Sequence, residues 1–138
     1  MRRSIENDQT GGVTSQDTLE LADRFFTAIE AGDTATLAEL YSPEVRVWHN
    51  FDQREQSRDQ NLKVLGWLTH HVPDMRYEEI RREVLPDGFL QQHVLRGTAP
   101  DGTALEVPAI LRIYCTDGII TRVEEYLDTA QTQALNRR

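Results

Sequence analysis

The sequence has little cysteine and no long apolar run. Cys115 is its single cysteine, so no internal disulfide can form, and its apolar neighbours indicate a buried, inert thiol. No segment approaches the roughly 20 apolar residues that cross a bilayer. The residues after Met1 are polar, unlike a leader peptide. We therefore expect a cytoplasmic protein that neither spans a membrane nor depends on disulfides.

Positively charged residues are outnumbered by negatively charged ones, and several common catalytic motifs are absent. The 15 Lys and Arg face 23 Asp and Glu, giving a net charge of −8, the wrong sign for binding nucleic acid or an anionic membrane. The sequence contains no glycine-rich phosphate loop, no G-x-S-x-G elbow and no Cys-x-x-Cys. Histidines and glutamates do not recur at short metal-ligand spacing. We expect no cofactor and no metal.

Length and composition predict one globular domain. The chain has 138 residues, of which 38% are hydrophobic and 28% charged. A chain of this length can bury a stable core without disulfides or a structural metal. Residues 1–13 are polar and lack periodicity, so we predict a flexible N-terminal arm there. Residues 14–138 then form the single domain.

Helical signals dominate the first half of the domain. An apolar helix face follows Asp17 and stops at Gly32, and Asp17 stands in the cap-to-third-residue relation to Glu20, which predicts a first helix beginning at Asp17. Asp33 can cap a short second helix. Ser57 and Gln60 form a capping-box pattern that opens a third helix. The first helix face comprises Leu21, Ala22, Phe25, Phe26 and Ile29.

Strand signals dominate the rest. A strand is predicted over 44–49, and three Asp-Gly turns separate apolar runs over about 74–85, 89–99, 103–115 and 119–127. These runs predict an antiparallel meander, followed by a short helix that Asp128 caps. The fold class is therefore α+β, with three N-terminal helices packed on a curved, mainly antiparallel sheet. Because strand 103–115 is apolar on both faces, we expect a homodimer through the outer sheet face.

Three segments carry a resemblance to a known superfamily. They are F-F-T-A-I-E-A-G-D-T-A-T-L-A-E-L-Y-S-P-E-V, W-H-N-F-D and I-I-T-R-V-E-E-Y-L-D. The chain resembles the nuclear transport factor 2-like superfamily, especially SnoaL-like proteins related to polyketide cyclases and ketosteroid isomerases. The resemblance implies a cone-shaped α+β barrel. It also implies one of several activities, since the superfamily includes isomerases, cyclases, dehydratases, epoxide hydrolases and non-catalytic binding proteins.

Aligning the shared A-G-D places His49 where ketosteroid isomerases hold an aspartate base. Phe25 and Ala109 stand near the positions of their two oxyanion donors, a tyrosine and a protonated aspartate. The resemblance therefore points to the same location for a site but to different chemistry from steroid isomerisation.

Three side chains are candidates for catalysis. Alternation along the first strand puts His49 on the inward face, where a neutral imidazole can accept a proton. His93 and Glu125 are its candidate polar partners, although the inward direction of each depends on the register of its strand. The alternative for each histidine is a structural role with its ring satisfied by a neighbour.

The sequence leaves the function between an enzyme and a binding protein. We expect a small apolar ligand in the cone and cofactor-free proton-transfer chemistry of the isomerase, cyclase or dehydratase type, with His49 as base. The alternatives are a non-catalytic, dimeric ligand-binding or accessory protein and a scaffold whose interior is filled. Predicted substrate-binding residues are Phe25, Phe26, Trp48, Trp67, Ala109 and Leu127.

Overall fold

The computed structural model describes residues 14–136, so the predicted arm over 1–13 lies outside the described residues. The elements, in chain order, are helices α1 (Ser15–Ala31) and α2 (Thr34–Leu40), strands β1 (Tyr41–His49) and β2 (Glu55–Gln56), helix α3 (Arg58–His71), strands β3 (Arg76–Leu85), β4 (Gly88–Thr98), β5 (Ala104–Thr116) and β6 (Ile119–Leu127), and a terminal 3-10 helix, α4 (Thr129–Asn136). Within residues 14–136, no helix is long and apolar enough to cross a membrane.

Helix α1 begins earlier than predicted. Thr14 is its N-cap and forms a capping box with Asp17, so the prediction of Asp17 as the cap is wrong and Asp17 is the third helical residue. At the other end Gly32 takes a left-handed conformation with φ 67°, which suits glycine and closes the helix. The predicted apolar face is buried as a set.

Helices α2 and α3 begin at the predicted caps, Asp33 and Ser57. Strand β1 starts at Tyr41, three residues before the predicted strand, because the chain turns from helical to extended backbone there without a loop. Pro43 consequently lies inside the strand rather than before it. It falls in the stretch where the pairing of β1 with β6 shifts register.

The sheet has six strands in the order β2-β1-β6-β5-β4-β3. The predicted antiparallel meander is confirmed as β3 to β6, with all three hairpins in place. Strand β1 lies parallel to β6, and the short β2 was not predicted. The strand order stays open between its edge strands β2 and β3, so the α+β fold with helices on a curved, mixed sheet is confirmed without a closed ring of strands.

The core lies between the helices and the inner face of the sheet. Along β5, Leu105, Val107, Leu111 and Ile113 are buried, whereas Pro108 between them is exposed. This alternation separates an inner face, which meets the helices, from an outer face.

A bulge in β3 changes which side chains face inward. Glu78 pairs with Val94 and Arg81 with Gln92, so β3 contains one more residue than β4 between these two pairs. Glu79, in the bulge, has a left-handed φ of 56°. As a result Tyr77 and Arg82, five positions apart, both lie on the inner face instead of on opposite faces.

Candidate functional site

The inner face of the sheet, helix α3 and helix α4 enclose a cavity of about 480 Å³. Its wall combines ten apolar side chains with eight polar ones. Such a composition is typical of small-molecule sites. The apolar lining residues are Phe51, Val64, Leu65, Trp67, Leu68, Leu95, Val107, Ala109, Leu127 and Leu135, and the polar ones are His49, Asn61, Tyr77, His93, Glu125, Thr129, Thr132 and Gln133.

His49 and Glu125 form a hydrogen-bonded pair in this cavity. The parallel register of β1 and β6 sets them side by side, and Nε2 of His49 lies 3.0 Å from Oε1 of Glu125. Their side chains are only 12% and 22% exposed. A carboxylate only accepts hydrogen bonds, so the imidazole donates from Nε2, and in the neutral form of the ring the lone pair is then on Nδ1. A carboxylate that orients a histidine in this way also stabilises the imidazolium formed when the ring takes up a proton.

His93 is the second histidine of the cavity and is 4% exposed. Burial lowers the pKa of His93 to about 4, with Arg82 acting in the same direction and the Glu125 carboxylate opposing both. The ring is therefore neutral at pH 7. A neutral imidazole carries one N–H donor and one acceptor nitrogen.

A polar chain leads from His93 to the surface. Nδ1 of His93 lies 2.8 Å from Nε2 of Gln91, a fully buried side chain. The side-chain carbonyl of Gln91 accepts a hydrogen bond from Nε of Arg82. Arg82 in turn donates to the carboxylate of Asp23 on α1.

Tyr77 lies against His93, with ring centroids 4.3 Å apart. Burial raises the pKa of Tyr77 well above its usual range, and the nearby Glu125 carboxylate adds to this. Its hydroxyl therefore stays protonated, and no other residue in the described range hydrogen-bonds to it. Tyr77 thus adds a hydrogen-bond donor to the cavity wall.

Asn61 is a buried polar residue of α3 at the opposite wall. Its Oδ1 accepts a 2.7 Å hydrogen bond from the buried Tyr41 hydroxyl, and its Nδ2 donates to Oε1 of Gln56 at 2.9 Å. Burial, reinforced by Glu125, raises the pKa of Tyr41 far above its usual value, so Tyr41 remains a donor. This network fixes α3 to β1 beside the cavity.

The structure brings six of the nine predicted site residues to the cavity. They are His49, His93, Glu125, Trp67, Ala109 and Leu127. Their catalytic and binding roles stay predictions. Trp67 lies at the rim, 43% exposed, and stacks on His71 with ring centroids 4.3 Å apart.

The other three predicted residues lie elsewhere. Phe25 and Phe26 belong to the buried core and do not line the cavity. The ring of Phe26 packs behind two residues that do, Tyr77 and His93, with centroid distances of 5.3 Å and 5.6 Å. Trp48 is next to His49 on β1 and so points to the outer face, where it contacts Tyr126.

Sequence reasoning missed Tyr77, Asn61, Gln91 and Arg82. Tyr77 and Arg82 share the inner face only because of the bulge in β3, which alternation does not reveal. Gln91 shares the face of His93 by alternation, and a glutamine between Phe89 and His93 was an available signal. Across residues 14–136, no three His, Cys, Asp or Glu side chains group closely enough to hold a metal ion.

Comparisons with known proteins agree with this architecture. Residues 22–123 match the family described as SnoaL-like domain. No curated protein sequence matches the chain.

Several solved structures share the fold. IdmH of Streptomyces antibioticus, a candidate polyketide cyclase, aligns with a TM-score of 0.74 at 20% identity, covering 86% of this chain and 97% of its own. A candidate SnoaL-like polyketide cyclase from a Jannaschia species aligns with a TM-score of 0.75 at 16% identity, covering 96% and 99%. PrhC of Penicillium brasilianum aligns with a TM-score of 0.76 at 14% identity, covering 87% and 85%. At these identities the similarity describes the fold.

Proposed function

Since the chain belongs to the SnoaL-like domain family, we propose that it binds a small, largely apolar carbonyl compound and moves a proton on it without a cofactor. The reaction would be an isomerisation, cyclisation or dehydration, in keeping with the cyclase-type relatives of this fold. The observation that carries the proposal is the His49–Glu125 pair, which shares one apolar cavity with a neutral His93.

His49 is the proposed general base. Glu125 holds Nε2, so Nδ1 is the ring nitrogen that can take a proton from the carbon next to a substrate carbonyl. The positive charge that then develops on the ring is stabilised by the adjacent carboxylate. Positioned proton transfer of this kind contributes roughly 10²–10⁴-fold to a rate.

His93 and Tyr77 are the proposed donors to the substrate oxygen. Abstraction of the proton leaves negative charge on the carbonyl oxygen, and N–H and O–H donors in an enclosed, apolar site stabilise such charge strongly. Both groups line the cavity and both are neutral donors at pH 7. They would take the place of the oxyanion donors that Phe25 and Ala109 cannot supply.

The cavity also suggests the kind of substrate. A volume of about 480 Å³ falls within the usual size range of small-molecule pockets. Glu125 gives the interior a negative charge, which disfavours an anionic ligand. A neutral, mostly apolar ketone or related polyketide-like compound fits both features.

The test begins with a thermal-shift screen of ketone, epoxide and polyketide-like ligands, followed by product analysis of the compounds that bind. Against a converted compound, His49→Ala should lower kcat at least about 100-fold. Glu125→Gln should lower it about 10- to 150-fold, the equivalent of one charge-assisted hydrogen bond of about 1.5–3 kcal/mol.

His70→Ala is the matched control, because His70 is an exposed histidine that does not line the cavity. It should retain full turnover. Undiminished turnover in His49→Ala, with the fold intact by circular dichroism, would refute the assignment of the base.

A ligand carrier is the second candidate, favoured by the ten apolar side chains that line the cavity. In that case the same polar groups orient a ligand that leaves unchanged. Saturable binding without product, for ligands whose affinity His49→Ala weakens, would support the carrier over the enzyme.

We also propose that the chain forms a homodimer through its outer sheet face and acts in the cytoplasm. The outer face carries Trp48, Val94, Pro108, Ile110 and Tyr126, and the Tyr126 side chain is 45% exposed. Apolar area of this kind favours a partner surface. A second copy can cover it by packing the same patch against itself.

A further inference from the structure

His93 can act as a donor only if its single proton sits on the nitrogen that faces a ligand. Two residues that do not line the cavity, Gln91 and Arg82, form a hydrogen-bonded chain that ends at the other ring nitrogen, Nδ1. We propose that Gln91 and Arg82 are positioning residues that together hold His93 as the tautomer with its proton on Nε2.

The first step concerns the amide of Gln91. Its carbonyl oxygen accepts from Nε of Arg82, and its amino group faces Nδ1 of His93 at 2.8 Å. Rotating the amide by half a turn would set its N–H₂ against the Arg82 N–H, placing two donors face to face inside a buried site. Arginine has no acceptor and stays protonated, so Arg82 permits one orientation of the amide.

The second step concerns the ring of His93. In the permitted orientation the amide donates to Nδ1, which must therefore be the unprotonated nitrogen. A neutral ring then carries its proton on Nε2. No residue within 14–136 hydrogen-bonds to Nε2, so this N–H is available to a ligand in the cavity that His93 lines.

The third step concerns what holds Arg82. The guanidinium donates to Asp23 of α1 and lies 5.7 Å from the ring centroid of Phe26. The Arg82 side chain is 16% exposed, whereas that of Asp23 is 72% exposed. The orientation therefore depends on packing and on the buried contact with Gln91 more than on the screened ion pair at the surface.

This inference deepens the proposed function, and only its catalytic consequence rests on that proposal. An Nε2–H donor suits the oxygen of a carbonyl or an enolate. The opposite tautomer would present a lone pair to the same oxygen and repel it. Gln91 and Arg82 would thus select the substrate class without touching the substrate.

The test is long-range ¹⁵N–¹H correlation NMR of the histidine rings in the ligand-free protein at neutral pH, with His93 assigned through the loss of its signals in His93→Gln. The wild type should show His93 entirely as the Nε2–H tautomer. Gln91→Glu replaces the donor with a group that only accepts, so Nδ1 should become protonated and the pure Nε2–H pattern should be lost. Arg82→Met frees the amide to turn and should give a mixture.

Arg81→Met is the matched control, because Arg81 is the exposed neighbour of Arg82 on the same strand. It should leave the His93 pattern unchanged. If Arg82→Met does not fold, Arg82→Gln provides the second variant. Its amide can either donate to or accept from Gln91, so it should also give a mixture of tautomers.

An Nδ1–H tautomer in the wild type would overturn the inference. So would an unchanged Nε2–H pattern in both Gln91→Glu and whichever Arg82 variant folds. Because the measurement needs no substrate, its outcome is separate from the turnover of His49→Ala, and either proposal can fail alone.

Discussion

Replacing Asn61 with leucine should destabilise the fold by about 1–3 kcal/mol, the penalty for leaving a buried hydroxyl without its partner. Asn61 is 4% exposed and accepts the 2.7 Å hydrogen bond of Tyr41, which is 3% exposed. Leucine has the same number of side-chain heavy atoms, branched at the same position, and a better helix propensity, so the loss arises mainly from the hydrogen bond rather than from backbone preference. The Tyr41 hydroxyl cannot escape the penalty by ionising, because burial raises the pKa of Tyr41.

The assay is urea unfolding of wild type, Asn61→Leu, Tyr41→Phe and the double variant. The double variant removes both partners, so the coupling energy between the two sites should be about 0.5–3 kcal/mol. The loss in Asn61→Leu corresponds to a fall in Tm of about 3–5 °C per kcal/mol. Lys63→Ala, at an exposed position of the same helix, should stay within about 0.5 kcal/mol of wild type. A coupling energy of zero would refute the reasoning, since it would mean that the two side chains do not depend on each other.

Three further predictions concern the cavity and the outer face. Burial lowers the pKa of His93 to about 4, so between about pH 6.5 and 4 this histidine is protonated in the unfolded chain but not in the folded one. The free energy of unfolding should therefore fall by about 3 kcal/mol from this group as the pH drops through that range. Comparing urea unfolding of wild type and His93→Gln across that range isolates the contribution, and parallel curves would contradict it. Ala109→Leu should abolish the thermal shift caused by cavity ligands, because the larger side chain fills cavity space beside His93 and Leu127. The Tm of the ligand-free variant should stay within a few degrees of wild type, since the side chain enters existing space. An undiminished thermal shift would mean that the ligand binds elsewhere. Ile110→Asp on the outer face should convert a dimer to a monomer by light scattering, and a wild type that is already monomeric would refute the proposed interface.

The sequence allowed the fold to be predicted because its signals are local. Caps at Asp33 and Ser57 and the three Asp-Gly turns each act over a few residues, and all appear in the structure. The parallel pairing of β1 with β6 is long-range, and no local pattern specifies it. The predicted start of α1 was three residues too late, because Thr14 and Asp17 can each serve as an N-cap. The reciprocal hydrogen bonds of the capping box between them favour Thr14.

The site was predictable only where alternation holds. It gave the inward direction of His49, and the same rule applied to Trp48 would have excluded that residue from the cavity. In β3 the bulge shifts the alternation by one residue, so Tyr77 could not be assigned to the face that it occupies. Asn61 required knowledge of tertiary contacts, because a polar residue on a helix is ordinarily exposed.

The parallel pairing of β1 and β6 has a consequence for folding kinetics. His49 and Glu125 are 76 residues apart, and closing a loop of that length has an entropic penalty on the order of 4 kcal/mol. The hairpins from β3 to β6 need no such closure and should form first. The pair should therefore assemble in the last step of folding and separate in the first step of unfolding, so that recovery of ligand binding after dilution from urea should lag behind recovery of β-sheet signal.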